Sequence, residues 1–300
     1  MIEHKTLKNG FPYLEISNQY AHAKIALQGA HIFAYKATDK PALLWLSPNA
    51  TMQEGKAIRG GIPICFPWFG KHKVDSTLPQ HGFARTSLWK VVNEEERVDG
   101  STHVRLQLAQ TVETRRLWAY DFEVNLDVIV GETLGLTIHI SNTGTKPFEV
   151  STALHTYLSI SDIENVEVVG LDGTEYYDAL TTSTQRQQGK LSIYAEIDRV
   201  YQSKQSSMKL LDKDREIRIT SEGSESLVVW NPWKEKSIAM ADMSDDGYKT
   251  MLCLETANAR DDSRVIEVGQ THSLSVVYEQ VEKIYKTPYN NSTIHKYKKG

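Results

Sequence analysis

Residues 150–161, VSTALHTYLSIS, alternate along an extended chain. Successive strand side chains point to opposite faces, so Val150, Thr152, Leu154, Thr156, Leu158 and Ile160 share one side. The other side carries Ser151, Ala153, His155, Tyr157 and Ser159, a small and polar surface. It fits either a solvated sheet face or the floor beneath a small polar ligand. The same period recurs upstream: Val104, Leu106 and Leu108; then Phe122, Val124, Leu126, Val128 and Val130; then Leu134, Leu136, Ile138 and Ile140. These are strands with one wet face, and GETLG and NTGTKP supply turn chemistry around the last of them. The pattern predicts an antiparallel meander or Greek-key run over about 102–160.

REIRITS, SLVVWN, TMLCLETA and HSLSVVYEQV add strands downstream, and no segment carries a long apolar stripe capped at both ends. A βαβ layout is therefore not expected. The chain reads as all-β, a large two-sheet sandwich or supersandwich in one domain over residues 1–285. TTSTQRQQGK (181–190) reads as an exposed loop, and 286–300 as a polar, basic tail containing the sequon at Asn291.

Composition narrows the function classes. The chain is 40% hydrophobic and 24% charged, with a formal net charge of −4, which argues against a general attraction to nucleic acid or anionic membranes. An anionic substrate would need a local cationic pocket. No apolar run reaches the ~20 residues a membrane-spanning helix requires. The two cysteines, Cys65 and Cys253, suggest no disulfide scaffold. A cytoplasmic protein is expected, and nothing demands a partner chain, so a monomer is expected too.

Four segments carry candidate chemistry. KAIRGGIPICFPWFG (56–70) reads as a shaped loop: Gly60 and Gly61 permit backbone angles that other residues resist, and Arg59 offers a planar fork suited to phosphate or carboxylate. Phe66 and Phe69 fit the core, whereas Trp68 could form a pocket wall. PQHGFARTSLW groups Gln80, His81 and Arg85, suited to hydroxyl or anion recognition or to an ordinary surface turn. In AEIDRVYQ, Asp198 could accept two sugar hydroxyls, cap a turn or pair with Arg199. In TMLCLETANAR, Leu252 and Leu254 point one way, and Met251, Cys253, Glu255 and Ala257 the other. Glu255 is thus a carboxylate in apolar surroundings, either a base whose pKa burial raises or one half of a salt bridge at a sheet rim.

Taken in order, RGGIPICFPWFG, QHGFAR, ALHTYL, DRVY, VVWNPW and LETAN resemble the aldose 1-epimerase superfamily, most closely its branch of glucose-6-phosphate 1-epimerases, or hexose-6-phosphate mutarotases. The six motifs span residues 59–258, most of the chain. The resemblance implies a galactose-mutarotase-like β-supersandwich with a sugar on its concave face. It implies His155 as catalytic acid, initially protonated, and Glu255 as catalytic base. It implies substrate contacts at Arg59, Gln80, Arg85 and Asp198, with His81 at a sugar-binding position of the wider superfamily. Interconverting anomers needs one base for the anomeric hydroxyl and one acid for the ring oxygen, so no metal or redox cofactor is expected. Arg59 and Arg85 would supply the positive potential for a 6-phosphate, and Trp68 or Trp230 could stack on the sugar.

Two alternatives stay open on the sequence: a mutarotase of free aldoses, whose arginines bind hydroxyls or hold loops, and a non-catalytic phosphosugar-binding protein. A glycosidase would need two carboxylates flanking the scissile bond, and here Glu255 is matched with a histidine.

Overall fold

The structure is a computed structural model that describes residues 1–283. The tail expected at 286–300 and the end of the expected domain lie outside the described residues. The alternating segments form the strands their pattern predicts, Thr102–Ala109, Phe122–Val130 and Leu134–Asn142 among them, with even-numbered residues buried against odd-numbered ones facing out. These three form a meander inside a nine-stranded antiparallel sheet that also contains Arg215–Glu222 and Thr271–Glu282.

The meander stops at Asn142, earlier than the sequence pattern suggests. Among the described residues Phe148–Val150 pairs only with Arg264–Ile266, and Thr152–Leu154 joins a second, eight-stranded sheet. Both large sheets turn one face to a shared core, so their strands carry the same apolar period and periodicity cannot tell one sheet from the other. The supposed loop at 181–190 likewise contains an edge strand, Ser183–Arg186, paired with Glu175–Asp178. An edge strand with no apolar face gives no alternation to read.

In the eight-stranded sheet, Met251–Asn258 lies between Ser226–Asn231 on one side and Thr152–Leu154 with Tyr157–Ser159 on the other. One face of this sheet, with Leu154, Leu158, Leu227, Val229, Leu252 and Leu254, packs with Ile138, Leu274, Val276 and Tyr278 of the nine-stranded sheet in one buried cluster. A four-stranded meander, from Ile2–Thr6 to His31–Ala37, adds Leu14, Ile16, Ile25 and Ile32 to the same core. The opposite face of the eight-stranded sheet is left for the site. Among the described residues no helix is long and apolar enough to cross a membrane.

Glycines fix how the loops close over that face. Gly82 has φ +71°, and a Cβ there would sit 2.0 Å from the Phe66 carbonyl oxygen. Gly10, at φ +83°, faces open space. Gly82→Ala should therefore destabilise the fold by more than ~2 kcal/mol, combining left-handed strain with a backbone clash, and Gly10→Ala by about 1 kcal/mol from strain alone. Urea denaturation of both variants tests this; equal losses would show that the close approach at Gly82 is not limiting.

Candidate active site

Strand register builds the centre of the site. Thr152 stands opposite Asn258 and Leu154 opposite Thr256; beyond a two-residue interruption, Tyr157 stands opposite Cys253. The offset is the same on both sides, so His155 falls across from Glu255. The interruption exists because the His155 N–H turns to the Pro63 carbonyl and the Thr156 N–H to the Leu154 carbonyl. His155 Nδ1 and Glu255 Oε1 lie 3.3 Å apart. Glu255 is 1% exposed and His155 8%. The face that could have been solvated is instead buried, and Glu255 sits in the middle of the sheet rather than in a salt bridge at its rim.

The contact satisfies neither group. His155 Nδ1 and Glu255 Oε2 are both buried without a hydrogen-bond partner, an arrangement that costs on the order of 1–3 kcal/mol per group. Burial pushes the Glu255 carboxyl well above its ordinary range; nearby Asp198 adds to this and Arg85 opposes it. Burial also holds His155 well below the usual imidazole value, helped by His81, Arg85 and Arg59. The pair by itself thus favours a protonated Glu255 beside a neutral His155. Without a sugar, these directions run against the initially protonated His155 that the resemblance implies, because a low-dielectric site penalises separated charge.

The Arg59 loop is stitched to this pair. The Tyr157 N–H donates to the Gly61 carbonyl, and the Gly61 N–H to that of Trp45. Gly61 has φ +63°, and a Cβ would lie 2.4 Å from the Ile32 carbonyl and 2.6 Å from His31 Nε2. Buried His31 donates from Nε2 to the Gly60 carbonyl at 2.8 Å, which orients the turn that presents Arg59. The Arg59 guanidinium donates to the Tyr157 hydroxyl at 3.0 Å and to Asp242 Oδ2 at 3.2 Å. The Tyr157 ring lies parallel to His155, with centroids 4.9 Å apart and planes at 8°.

His81 approaches from the other side, its ring 5.5 Å from that of His155. Its Nδ1 accepts the Gly70 N–H at 3.2 Å, and the Cys65 thiol lies 3.4 Å from the same nitrogen. Burial, then Arg85 and Arg59, lower its pKa to about 3, so His81 is neutral and carries its proton on Nε2. Exposed Gln80 lies against that nitrogen at 3.3 Å, where its amide oxygen is the fitting partner. Arg85 donates to the Gln80 carbonyl at 2.7 Å and, among the described residues, has no carboxylate partner.

Asp198 stands opposite Trp230, on the face that carries Cys253 and Glu255. Burial raises its pKa; Lys236 opposes the shift, and Glu196 and Asp178 add to it. It does not pair with Arg199, which binds Asp178 at 3.1 Å. Trp68 is a correction: it lies in the main core, its indole N–H donating to the Pro79 carbonyl at 2.9 Å. Trp230 instead meets the rings of His155 and Tyr157 edge-on, at 6.2 and 6.0 Å. Six predicted polar residues, Arg59, Gln80, His81, Arg85, His155 and Glu255, thus converge with Asp198 on one face. Sequence reasoning did not single out His31, Asp242, Cys253 or the hydroxyl of Tyr157 as site groups; only Tyr157 and Cys253 had a signal, as face-mates of His155 and Glu255. Both cysteines are free, buried thiols. Two surface grooves, of about 920 and 510 Å³, bring neither a histidine nor a cysteine to a carboxylate.

The sequence profile of the aldose 1-epimerase family matches residues 12–279. The chain belongs to the aldose 1-epimerase family. An Escherichia coli (strain K12) relative, provisionally named glucose-6-phosphate 1-epimerase, is 36% identical over 261 residues, covering 86% of each chain. A relative from Cenchrus ciliaris with the same provisional name is 38% identical over 247 residues, covering 78% of this chain and 74% of its own. The crystal structure of YeaD from Salmonella typhimurium, provisionally a mutarotase, superposes with a TM-score of 0.88 at 30% identity, over 94% of both chains. These likenesses agree with the galactose-mutarotase-like fold expected for an aldose 1-epimerase.

The burial of Glu255 has a stability consequence with a definite sign. A carboxyl whose folded pKa is raised loses stability as pH climbs from the ordinary glutamate value toward the folded one. Glu255→Gln removes that loss. The variant should melt above the wild type at pH 8, by the equivalent of about 1–3 kcal/mol, with a smaller gain at pH 6. Thermal melts at both pH values read this directly, and a gain that does not change with pH would refute the ionisation argument.

Proposed function

We propose that this chain is a hexose-6-phosphate mutarotase that interconverts the α and β anomers of D-glucose 6-phosphate by acid/base ring opening and closure. The observation that carries this reading is the His155–Glu255 pair: two proton carriers 3.3 Å apart on a buried face, each with an unpartnered polar atom. His155 Nδ1 faces Glu255, which leaves Nε2 for the sugar.

Besides the proton on His155 Nε2, the pair carries one proton that Glu255 and Nδ1 exchange. When a ring-form sugar binds, its anomeric hydroxyl reaches the orphaned Glu255 Oε2. That hydrogen bond favours the carboxylate, and the shared proton passes to His155. Glu255 then takes the proton of the anomeric hydroxyl while His155 Nε2–H protonates the ring oxygen. The C1–O5 bond breaks and the aldehyde forms at C1. Rotation about C1–C2 turns the other carbonyl face to the O5 hydroxyl, and the same transfers in reverse close the ring. Neutral His81, whose Nε2–H would turn from the Gln80 amide to the sugar, and Asp198, an acceptor, suit the remaining hydroxyls.

Arg85 has no carboxylate partner among the described residues and is the better placed of the two arginines for a 6-phosphate. Arg59 is shared with Asp242. That ion pair is the one observation favouring the alternative, a mutarotase of free aldoses, since it cancels part of the local positive potential. It also makes the readings separable. Asp242→Asn should lower KM for glucose 6-phosphate several-fold and leave KM for free glucose unchanged; an equal effect on both would detach Arg59 from phosphate.

Magnetisation-exchange NMR of the α and β anomers tests the activity, with glucose 6-phosphate beside free glucose and galactose. The phosphosugar should exchange faster with enzyme, and Glu255→Gln or His155→Gln should each cut kcat by about 10²- to 10⁴-fold. Acceleration of free sugars alone would move the protein to the alternative, and unchanged rates in both variants would remove the pair from the mechanism.

A further inference from the structure

The acid/base pair has a third neighbour that anomer interconversion does not use. Cys253 precedes Glu255 by two residues on the same strand and so presents its thiol on the same face. A ring nitrogen of His155, Cys253 Sγ and a Glu255 carboxylate oxygen lie within 4.8 Å of one another, all from buried residues. Two of the three residues hold polar atoms with no hydrogen-bond partner, His155 Nδ1 and Glu255 Oε2. The described residues contain no other such group of histidine, cysteine and acid.

We propose that His155, Cys253 and Glu255 form a three-ligand site for a thiophilic divalent cation, Zn²⁺, whose occupancy blocks the sugar site. The geometry fits. Two ligands bound at ~2.05 Å in a tetrahedron stand about 3.3 Å apart, and the observed Nδ1–Oε1 separation is 3.3 Å without hydrogen-bond alignment. The sulfur needs to close to about 3.5 Å from each, a movement of ~1 Å available to a χ1 adjustment. One imidazole nitrogen, one thiolate and one carboxylate select zinc over magnesium or calcium, which require oxygen ligands.

Charge also fits. A thiolate and a carboxylate neutralise the dication, so the complex adds no net charge to a buried site flanked by Arg59 and Arg85. His81 is not a fourth ligand, because its Nδ1 is taken by the Gly70 N–H. That leaves the fourth position to a small non-protein ligand such as water. Occupancy would take up the Nδ1 and carboxylate that share the mobile proton. The inhibitory consequence rests on the mutarotase reading; the metal site does not.

The test uses the full chain, stripped with a chelator and titrated with Co²⁺ as a spectroscopic stand-in for zinc. One equivalent should give a thiolate-to-cobalt charge-transfer band that Zn²⁺ abolishes. The band should vanish in Cys253→Ser and persist in Cys65→Ser, which controls for the other buried thiol beside His81. Zn²⁺ should slow anomer exchange of glucose 6-phosphate, and Cys253→Ser should raise the inhibitory concentration at least tenfold, measured against its own metal-free rate. No charge-transfer band in the folded wild type would overturn the proposal, as would a band lost only in Cys65→Ser or inhibition unchanged in Cys253→Ser. If Cys253→Ser does not fold, the wild-type and Cys65→Ser spectra still decide. If no sugar is turned over, the functional reading falls while the cobalt spectrum still judges the metal site.

Discussion

The molecule is organised around one unfavourable contact, a histidine and a glutamate held face to face in the interior of a sheet, with a polar atom of each unsatisfied. Neither group would stay there alone. The glutamate is on a central strand with backbone pairing on both sides, and the histidine is on a strand whose offset is fixed on either side of it. A one-residue slip would put Leu154 or Thr156 opposite Glu255 and send His155 into the core, where Leu154 and Leu158 now pack against the nine-stranded sheet. The large core therefore fixes the register, and the register holds the pair against its own desolvation cost.

The loops that finish the site depend on close backbone approach. The segment from Arg59 to Cys65 is hydrogen-bonded to 155–157 at Pro63 and Gly61, and only glycine fits at Gly61 against Ile32 and His31. Gly82 does the same for the segment bearing Gln80, His81 and Arg85, against Phe66. The two arginines thus arrive through glycine-permitted contacts rather than through regular strands. His31 adds a positioning contact behind them by holding the Gly60 carbonyl.

Much of this was legible in the sequence because strand alternation is a local property. The face shared by His155 and Tyr157, the face shared by Cys253 and Glu255, and the buried stripe of Phe122–Val130 all follow from the period of two. Sheet membership was not legible: the Leu134–Asn142 and Thr152–Leu154 strands bury one face in the same core, so their patterns look alike while they belong to different sheets. The two tryptophans show a second limit. Trp68 lies within a motif that reads as functional, yet it packs in the core, whereas Trp230 reaches the site because its strand neighbours Met251–Asn258. Asp242 is a further case, an acidic residue between Ala241 and Met243 whose partner Arg59 lies far away in sequence.

The proton's resting position bears on how such a site works. Burial favours protonated Glu255 beside neutral His155 before a sugar binds. The proposed reaction reaches the same charges when the sugar is open, but with the imidazole proton on Nδ1 rather than Nε2. Ring opening in this scheme therefore starts with one proton crossing the 3.3 Å between the two side chains, whereas ring closure from the open form needs no such step. A low-dielectric pocket stabilises the neutral arrangement, and in the proposed reaction hydrogen bonds from the sugar to Glu255 would stabilise the charged one. A small balance between the two would suit a reaction that runs both ways with the same two residues. The floor beside them is made of Cys65, Ala153, Ala257, Val200 and Val228; in the proposed reaction a larger side chain there would fill space in which C1 turns.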